Sequence, residues 1–305
     1  MSTVLGLAAL AAGVAAAVWA ADVLVDGLLG VARALGIAPF VLTVALSGFE
    51  TENLAAGIAA DVKGLPDAAA GTFLGGTTFL ALAVAGLGSL IAPMRVGLPR
   101  RFAAWTAVAP LPLLAFALDG YLSRLEGGIL VAWAAVALLA LARTGRDLLS
   151  DDDEAPARRP AGRLLVGLAV LTGGGWMLGE GLRTTVRNLG ISGALLGNTA
   201  VAASVEAEEV ARVAVPARRG RPELGLGTIV GSVIHFAALN AGVIALIRPL
   251  SLSQDTTRFY LPAAAAGPVV LAGLLLARPQ LGRVEGAALV ALYVAYVAAA
   301  IAISA

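Results

Sequence analysis

The stretch VALSGFETENLAAGIAADVKGLPDAAAGTFLGG (44–76) decides the fold, because it places acidic side chains inside a segment that is otherwise apolar. Glu50 and Glu52 lie near the start of this stretch. The whole chain has 305 residues, of which 59% are hydrophobic and 13% are charged. A soluble domain carries roughly twice that charged fraction. The composition therefore predicts a helical membrane protein.

The length of the apolar segments predicts how often the chain crosses the membrane. A transmembrane helix needs about 20 predominantly apolar residues, and polar breaks divide the chain into segments of about that length. We predict an all-α polytopic membrane protein with ten transmembrane helices. They are expected at 3–32, 37–61, 66–92, 101–118, 126–144, 162–182, 191–216, 222–247, 257–277 and 283–304.

Several function classes find no support in the sequence. The chain has no cysteine, which excludes disulfides and thiolate metal sites. It has no HExxH or GxSxG motif and no convincing Ser/His pair, so we expect neither an enzyme nor a cofactor. A net charge of +1 gives no reason to expect a nucleic-acid partner. The expected partners are inorganic cations and the lipid bilayer, and the oligomeric state stays open.

The distribution of Lys and Arg predicts the orientation in the membrane. When the connections are assigned to alternate sides, fifteen basic residues, Arg212 among them, fall on one side and six on the other. The richer side is expected to be cytoplasmic. Both termini then lie outside the cell, the membrane is the plasma (inner) membrane, and residues 143–161 form a cytoplasmic linker.

The two halves of the sequence carry a repeat. Residues 47–93, shifted by 156 positions, align with 203–249 without a gap, and 14 of the 47 positions are identical. Composition alone inflates matches of Ala and Leu, but it does not align Glu, Gly and Pro. A repeat unit of five spans is odd-numbered, so the second copy must be inverted in the membrane, as in many secondary transporters. The expected units are 1–142 and 162–305.

The repeated acids are expected near the membrane midplane. Glu50 lies about nine residues from one end of its predicted span, or roughly 14 Å along a helix, in a hydrocarbon layer about 30 Å thick. A charged residue at that depth costs about 2.5–3.5 kcal/mol on insertion scales, which marks it as a functional candidate. Side chains at i and i+3 share a helix face. Glu50 with Asn53, and Glu206 with Glu209, would therefore present paired oxygens suited to calcium or sodium.

At this level of detail the repeats resemble the alpha-repeats of the calcium/cation antiporter superfamily, which includes the sodium/calcium exchangers. The resemblance rests on KGLPDAAAGTFLGGT (63–77), RGRPELGLGTIVGSV (219–233) and ADVLVDGLLGVARALGIAP (21–39). It covers most of the chain and implies ten helices, alternating access and cation exchange. It also implies that transported Ca²⁺, Na⁺ or H⁺ are substrates rather than cofactors.

The resemblance also implies a set of ion-binding residues, carried over position by position. The family's ion-binding Glu falls on Glu209 and, in the first repeat, on Asn53. Glu50 and Glu206 replace a Ser, Glu52 and Glu208 replace a helix-breaking Pro, and Thr72 and Thr228 replace an Asn. The expected metal site consists of Glu50, Asn53, Glu206, Glu209, Ser232, Glu52, Glu208, Thr72 and Thr228.

Alternative interpretations accompany several of these residues. The acids could be purely structural, bonded to backbone or kept protonated. Glu52 and Glu208 could bind protons, pair with a neighbouring helix or line an entry path. Thr72, Thr228 and their flanking glycines could serve close helix packing alone. His235 fits a packing role better than a proton gate.

The predicted function is secondary active antiport of a divalent cation, with Ca²⁺ favoured, for Na⁺ or H⁺ at a midplane carboxylate site. The main alternatives are a cation channel or uniporter on the same scaffold, and an exchanger for a different cation. A scaffold without transport activity would not need matched acids in both halves.

Overall fold

The computed structural model describes the chain in six stretches, and almost all of the described residues are helical. The exceptions are two pairs of two-residue strands and the short connections between helices. The described residues are 3–47, 51–95, 100–145, 159–188, 207–278 and 280–304.

The helices of the first half begin and end at residues with local backbone constraints. Pro39 and Pro66 occupy first-turn positions, where proline is favoured because its missing N–H has no helical partner. Gly64, with φ of 78°, ends the helix before Pro66, since glycine adopts this conformation at little cost. The helices are α1 Thr3–Leu35, α2 Pro39–Leu46, α3 Thr51–Val62, α4 Pro66–Ile91, α5 Arg100–Val108, α6 Leu111–Ala117 and α7 Arg124–Gly145.

The second half repeats these signals. Gly220, with φ of 76°, follows one helix, and Pro222 begins the next. The described helices are α8 Pro160–Asn188, α9 Ala207–Arg218, α10 Pro222–Ile247, α11 Thr256–Ala277 and α12 Arg283–Ser304. The strands of both halves are β1 Met94–Arg95, β2 Tyr121–Leu122, β3 Leu250–Ser251 and β4 Gln280–Leu281.

Two long helices, α4 and α10, form the centre of the described structure. In each, an 18-residue apolar window is mostly buried, 78% in α4 and 83% in α10, against 28% in α1 and 17% in α12. Each has a π-helical segment of six residues in its middle, Phe79–Val84 and His235–Asn240. These two segments are offset by the same 156 positions that relate the sequence repeats. Short π segments inside α-helices are frequent at functional sites.

Close contacts between the halves join corresponding positions. A Cβ atom added to Gly57 would lie 2.5 Å from Ile244 Cδ1, and one added to Gly88 would lie 2.5 Å from Val213 Cγ1. Gly57 corresponds to Val213, and Gly88 to Ile244, at the offset of 156. Repeat position 57/213 therefore contacts repeat position 88/244 in two places. In each contact the glycine belongs to the first half.

Contacts between connecting segments join residues that the alternate-side assignment places on the same side. At one end β1 pairs with β4, and Arg219 contacts Asp22 and Asp26 of α1 at 3.3 Å and 2.6 Å. At the other end β2 pairs with β3, and Arg248 donates to the carbonyl oxygen of Asp61 at 2.9 Å. Which end faces the cytoplasm stays a prediction from the arginine count.

Six helices of the described residues are long and apolar enough to cross a membrane, fewer than the ten spans predicted. Two predicted spans are interrupted. Span 37–61 is divided between α2, which ends before Ser47, and α3. Span 101–118 is divided at Ala109 and Pro110, between α5 and α6. Predicted span 162–182 is one continuous helix, α8, but is not among the six. Part of predicted span 191–216 lies outside the described residues. The six are Thr3–Leu35, Pro66–Ile91, Arg124–Arg143, Pro222–Ile247, Thr256–Ala277 and Arg283–Ile303.

Candidate functional site

Helix α9 brings two predicted ligands together with an arginine. Glu208, Glu209 and Arg212 occupy positions i, i+1 and i+4, so both acids precede the arginine by about one helical turn. The Arg212 guanidinium pairs through Nη1 with Glu209 Oε1, and its Nη2 lies 3.5 Å from Glu208 Oε1. The exposed fractions of Glu208, Glu209 and Arg212 are 6%, 0% and 8%. Three ionisable groups are therefore concentrated in one buried turn.

Burial makes the arrangement of this turn energetically demanding. A buried charge needs a partner, because desolvation of an isolated ion is very costly. Arg212 supplies that partner to one oxygen of Glu209, whereas Glu209 Oε2 has no hydrogen-bond partner among the described residues. The Glu209 carboxylate therefore keeps one acceptor oxygen that the described residues leave unused.

Helix α8 provides the surface on which Glu208 packs. The Glu208 carboxyl group lies against the backbone at Gly175, where an added Cβ atom would come within 2.9 Å of Glu208 Cδ. The neighbouring Gly173 has open space at the same position, with nothing within 4 Å. Gly175 is thus required for close approach, and Glu208 contacts a neighbouring helix, as one of its predicted alternatives proposed.

The structure corrects the interpretation of Arg212. Arg212 is one of the fifteen basic residues that the sequence assigns to the predicted cytoplasmic side. Its side chain is instead buried among the acids of α9, because two carboxylates one turn upstream stabilise the guanidinium inside the protein. Removing it leaves fourteen basic residues against six, so the predicted orientation does not depend on it.

A small cavity lies beside this turn. Its volume is about 20 Å³, which is enough for one water molecule. Residues of α1, α2, α8, α9 and α10 contribute to its wall, and Arg212 is the charged residue of the lining. The hydroxyl-bearing lining residues are Thr43, Ser47 and Thr228.

Ser232 connects the two halves of the chain. This fully buried residue of α10 donates its hydroxyl to the carbonyl oxygen of Ser47, at 3.1 Å. Ser47 follows the last residue of α2 and precedes Glu50 by three positions. Gly231 allows this approach, since an added Cβ atom there would lie 2.6 Å from the Val44 carbonyl oxygen. The predicted close packing is confirmed for GTIVG (227–231). It is wrong for GTFLG (71–75), because a Cβ atom added to Gly71 or Gly75 has nothing within 4 Å among the described residues.

The two predicted threonine ligands direct their protons to their own helices. Thr228 donates to the Leu224 carbonyl at 3.2 Å, and Thr72 donates to the Ala69 carbonyl at 2.7 Å. A hydroxyl whose proton is used in this way keeps two acceptor lone pairs. Each oxygen therefore keeps its capacity to accept a hydrogen bond or to bind a cation.

Some of the predicted ligands lie outside the described residues. These are Glu50 and Glu206, together with the side chain of Glu52, whose backbone belongs to α3. Asn53 is half-buried in α3. Among the described residues no three His, Asp or Glu side chains are grouped closely enough to hold a metal ion. The predicted oxygen cage drawn from both halves therefore stays a prediction.

His235 has the packing role that its sequence context favoured. It is 4% exposed, and its Nδ1 lies 2.7 Å from the Gly231 carbonyl oxygen. It opens the π-helical segment of α10. The contact of His235 Nδ1 with its own helix is explained by packing and needs no proton-transfer role.

Two features of the site were missed by the sequence reasoning. One is the buried Arg212, although its spacing of three and four residues from the two acids was visible. The other is the pair of π-helical segments, for which an apolar sequence gives no signal. Both lie on the helices that carry the predicted ligands.

Comparison with known proteins now identifies the fold. CaxA of Alkalimonas amylolytica is 28% identical over 303 residues, covering 93% of this chain and 95% of CaxA. Inner membrane protein YrbG of Escherichia coli (strain K12) is 27% identical, covering 96% of each chain. A solved structure of the sodium-calcium exchanger NCX_Mj, soaked with Na⁺ and Sr²⁺, superposes with a TM-score of 0.82 at 20% identity. It covers 97% of this chain and 99% of NCX_Mj, and at that identity it shows the shared fold.

The helices described above and this structural match make the chain a polytopic helical membrane protein. The profile of the family described as "Sodium/calcium exchanger protein" matches residues 5–142 and 160–302. Together these matched segments include most of the chain. The chain belongs to the sodium/calcium exchanger protein family.

Proposed function

We propose that this protein is a secondary active antiporter that exchanges a divalent cation, with Ca²⁺ favoured, for Na⁺ or H⁺. The family to which it belongs supports cation exchange. NCX_Mj, which has the same fold, is named a sodium-calcium exchanger. The buried carboxylate turn of α9 supplies the hard oxygen ligands that such cations prefer.

The proposed architecture consists of two inverted five-helix repeats, 1–142 and 162–305, with ten transmembrane helices and a linker at 143–161. Three observations support it. The π segments of α4 and α10 recur at the sequence offset. The contacts of Gly57 with Ile244 and of Gly88 with Val213 join equivalent positions. The strand pairs β1–β4 and β2–β3 each join one strand of the first half to one strand of the second, and exchange of the two halves converts one pair into the other.

The observation that carries the proposal is the hydrogen bond from Ser232 to the Ser47 carbonyl. It joins a predicted ligand of the second half to the chain segment that leads into Glu50 of the first. The segment that leads into Glu50 therefore ends beside a helix of the second half that carries two predicted ligands, which supports a site shared by both halves. The proposed ligands are Glu50, Asn53, Glu206, Glu209, Ser232, Glu52, Glu208, Thr72 and Thr228.

The proposed mechanism is alternating access controlled by charge. The same carboxylates hold either the divalent cation or the counter-ions, but not both. An occupied site is electrically compensated, so the paired helices α1 and α8 slide across the core formed by α4 and α10. An empty site keeps its negative charges in a region of low dielectric, where the cost of moving them prevents the transition. Exchange without leak follows from this difference.

The test is calcium uptake into proteoliposomes that contain the purified protein. An outward sodium gradient and an outward proton gradient are imposed in parallel experiments, and a third sample has neither gradient. Antiport predicts uptake driven by one of the two gradients. Uptake without any countering gradient would favour a channel or uniporter, and competition by other divalent cations would reveal an exchanger for a different ion.

A matched pair of variants connects this flux to the site. Glu209→Gln should abolish gradient-driven uptake, since it removes a buried charge at the proposed site. Asp255→Asn makes the same chemical change at an exposed position and should transport like the unmodified protein. Unchanged flux in both variants would show that Glu209 has no part in transport.

A further inference from the structure

The two halves differ at the turn that carries the buried ion pair. At the repeat offset of 156 positions, Glu209 corresponds to Asn53 and Arg212 corresponds to Ala56. The second half therefore has one additional negative and one additional positive charge in the same helical turn. The two differences compensate each other electrically, which indicates that Arg212 is matched to Glu209.

The position of Arg212 makes it a competitor for a cation. Its guanidinium occupies Oε1 of Glu209 and approaches Glu208 at 3.5 Å, and it also lines the small cavity beside Thr228. A transported cation that binds Glu209 must approach this same positive charge. Like charges a few ångströms apart in a protein interior repel each other strongly. The guanidinium must therefore weaken cation binding at Glu209 or move away when the cation arrives.

We propose that Arg212 is a tethered cation that holds Glu209 and Glu208 when the second half of the site is empty, and that a transported cation must displace it. Arg212 is then a specificity-determining residue, because it lowers affinity for the cation and favours ions whose charge can compete with a guanidinium. It also compensates one negative charge of the empty site, while the other proposed acids keep that site negative. This inference rests on the proposed antiport function.

The test measures calcium affinity in two ways, by equilibrium binding of ⁴⁵Ca²⁺ to the purified protein and by the KM of uptake into proteoliposomes. Arg212→Gln should tighten both values by about tenfold, within the range of usual coupling between two binding events. The control is Arg218→Gln, which makes the same change at the exposed end of the same helix. It should leave both values unchanged.

A second readout separates competition from a structural role. Arg212→Ala opens space where the guanidinium was, so added guanidinium chloride at low millimolar concentration should weaken calcium binding back toward the original value. The unmodified protein and Arg218→Gln should show no such response. A residue that only supports the fold would not be replaced by a soluble guanidinium ion in this way.

The outcomes are distinguishable. If the unmodified protein shows no gradient-driven cation flux, the proposed function fails, and the binding experiment still decides whether Arg212 competes for cations. If flux is present but Arg212→Gln binds calcium as tightly as the original or more weakly, the tethered-cation proposal is overturned. Should Arg212→Gln fail to fold, Arg212→Lys replaces it. Lysine keeps the charge but lacks the planar fork, so a smaller tightening is expected, and unchanged or weaker binding would equally overturn the proposal.

Discussion

The contact between Gly175 and Glu208 leads to a sharp prediction about the α9 turn. In Gly175→Ala the new methyl group would lie 2.9 Å from Glu208 Cδ. Glu208 Oε2 would lie closer still, so the carboxyl group has to rotate or move outward until both atoms are about 3.4 Å away, where ordinary contact begins. Glu208 is buried and paired with Arg212, so this movement disturbs the ion pair as well as the packing.

The magnitude follows from comparison with Gly173→Ala. Replacement of a helical glycine by alanine stabilises a helix by roughly 0.5–1 kcal/mol, and this contribution is common to both variants. Gly173 has open space at its Cβ position, whereas overpacking at a filled position costs about 1–3 kcal/mol. Gly175→Ala should therefore be less stable than Gly173→Ala by about 1–3 kcal/mol.

The assay is reversible unfolding in detergent, or thermal unfolding where reversibility fails, with both variants measured in two backgrounds. In the original background the two variants should differ as stated. In a Glu208→Ala background the clashing carboxyl group is absent, so the difference should disappear, as a double-mutant cycle requires. Equal stability of Gly175→Ala and Gly173→Ala in the original background would refute the described position of Glu208.

Two further predictions concern contacts between the halves. Gly88→Ala should destabilise the protein by about 1–3 kcal/mol in unfolding measurements, because its methyl group meets Val213. Adding Val213→Ala should restore most of that loss. Additive effects of the two substitutions would contradict the contact. Ser232→Ala should lower the free energy of unfolding by about 0.5–1.5 kcal/mol, because the Ser47 carbonyl loses its donor. The control is Ser89→Ala, which removes a hydroxyl that donates to its own helix at 2.6 Å. It should lower the free energy of unfolding by less.

Features set by local chemistry were predictable from the sequence. The glycine and proline signals at Gly64, Pro66, Gly220 and Pro222 mark helix boundaries because each residue restricts or frees its own backbone. The 156-residue repeat predicted that α4 and α10 would be equivalent, and both are long, buried helices. The resemblance to exchangers was visible in the same segments, and family membership is confirmed.

Features set by tertiary contacts were not predictable. The π segments contain apolar residues that suit an α-helix equally well, so neither hydropathy nor periodicity distinguishes them. The interruption at Ala109 and Pro110 shortens a span whose composition looked continuous. Arg212 was assigned to a cytoplasmic cluster because it lies near Arg218 and Arg219 in sequence. Its burial depends on neighbouring helices that a local reading does not see.

The ion pair that only the second half carries at this turn affects alternating access. Inverted repeats of identical sequence would give the inward-open and outward-open states equal energies, because exchange of the halves converts one state into the other. The Glu209–Arg212 pair has no counterpart at Asn53 and Ala56, so this equivalence is broken at a buried position. Burial of an ion pair costs desolvation energy, so the state in which this pair is better solvated or better hydrogen-bonded is favoured when no cation is bound. The same pair that sets cation affinity would thereby also set the resting orientation, and removal of Arg212 should change both together.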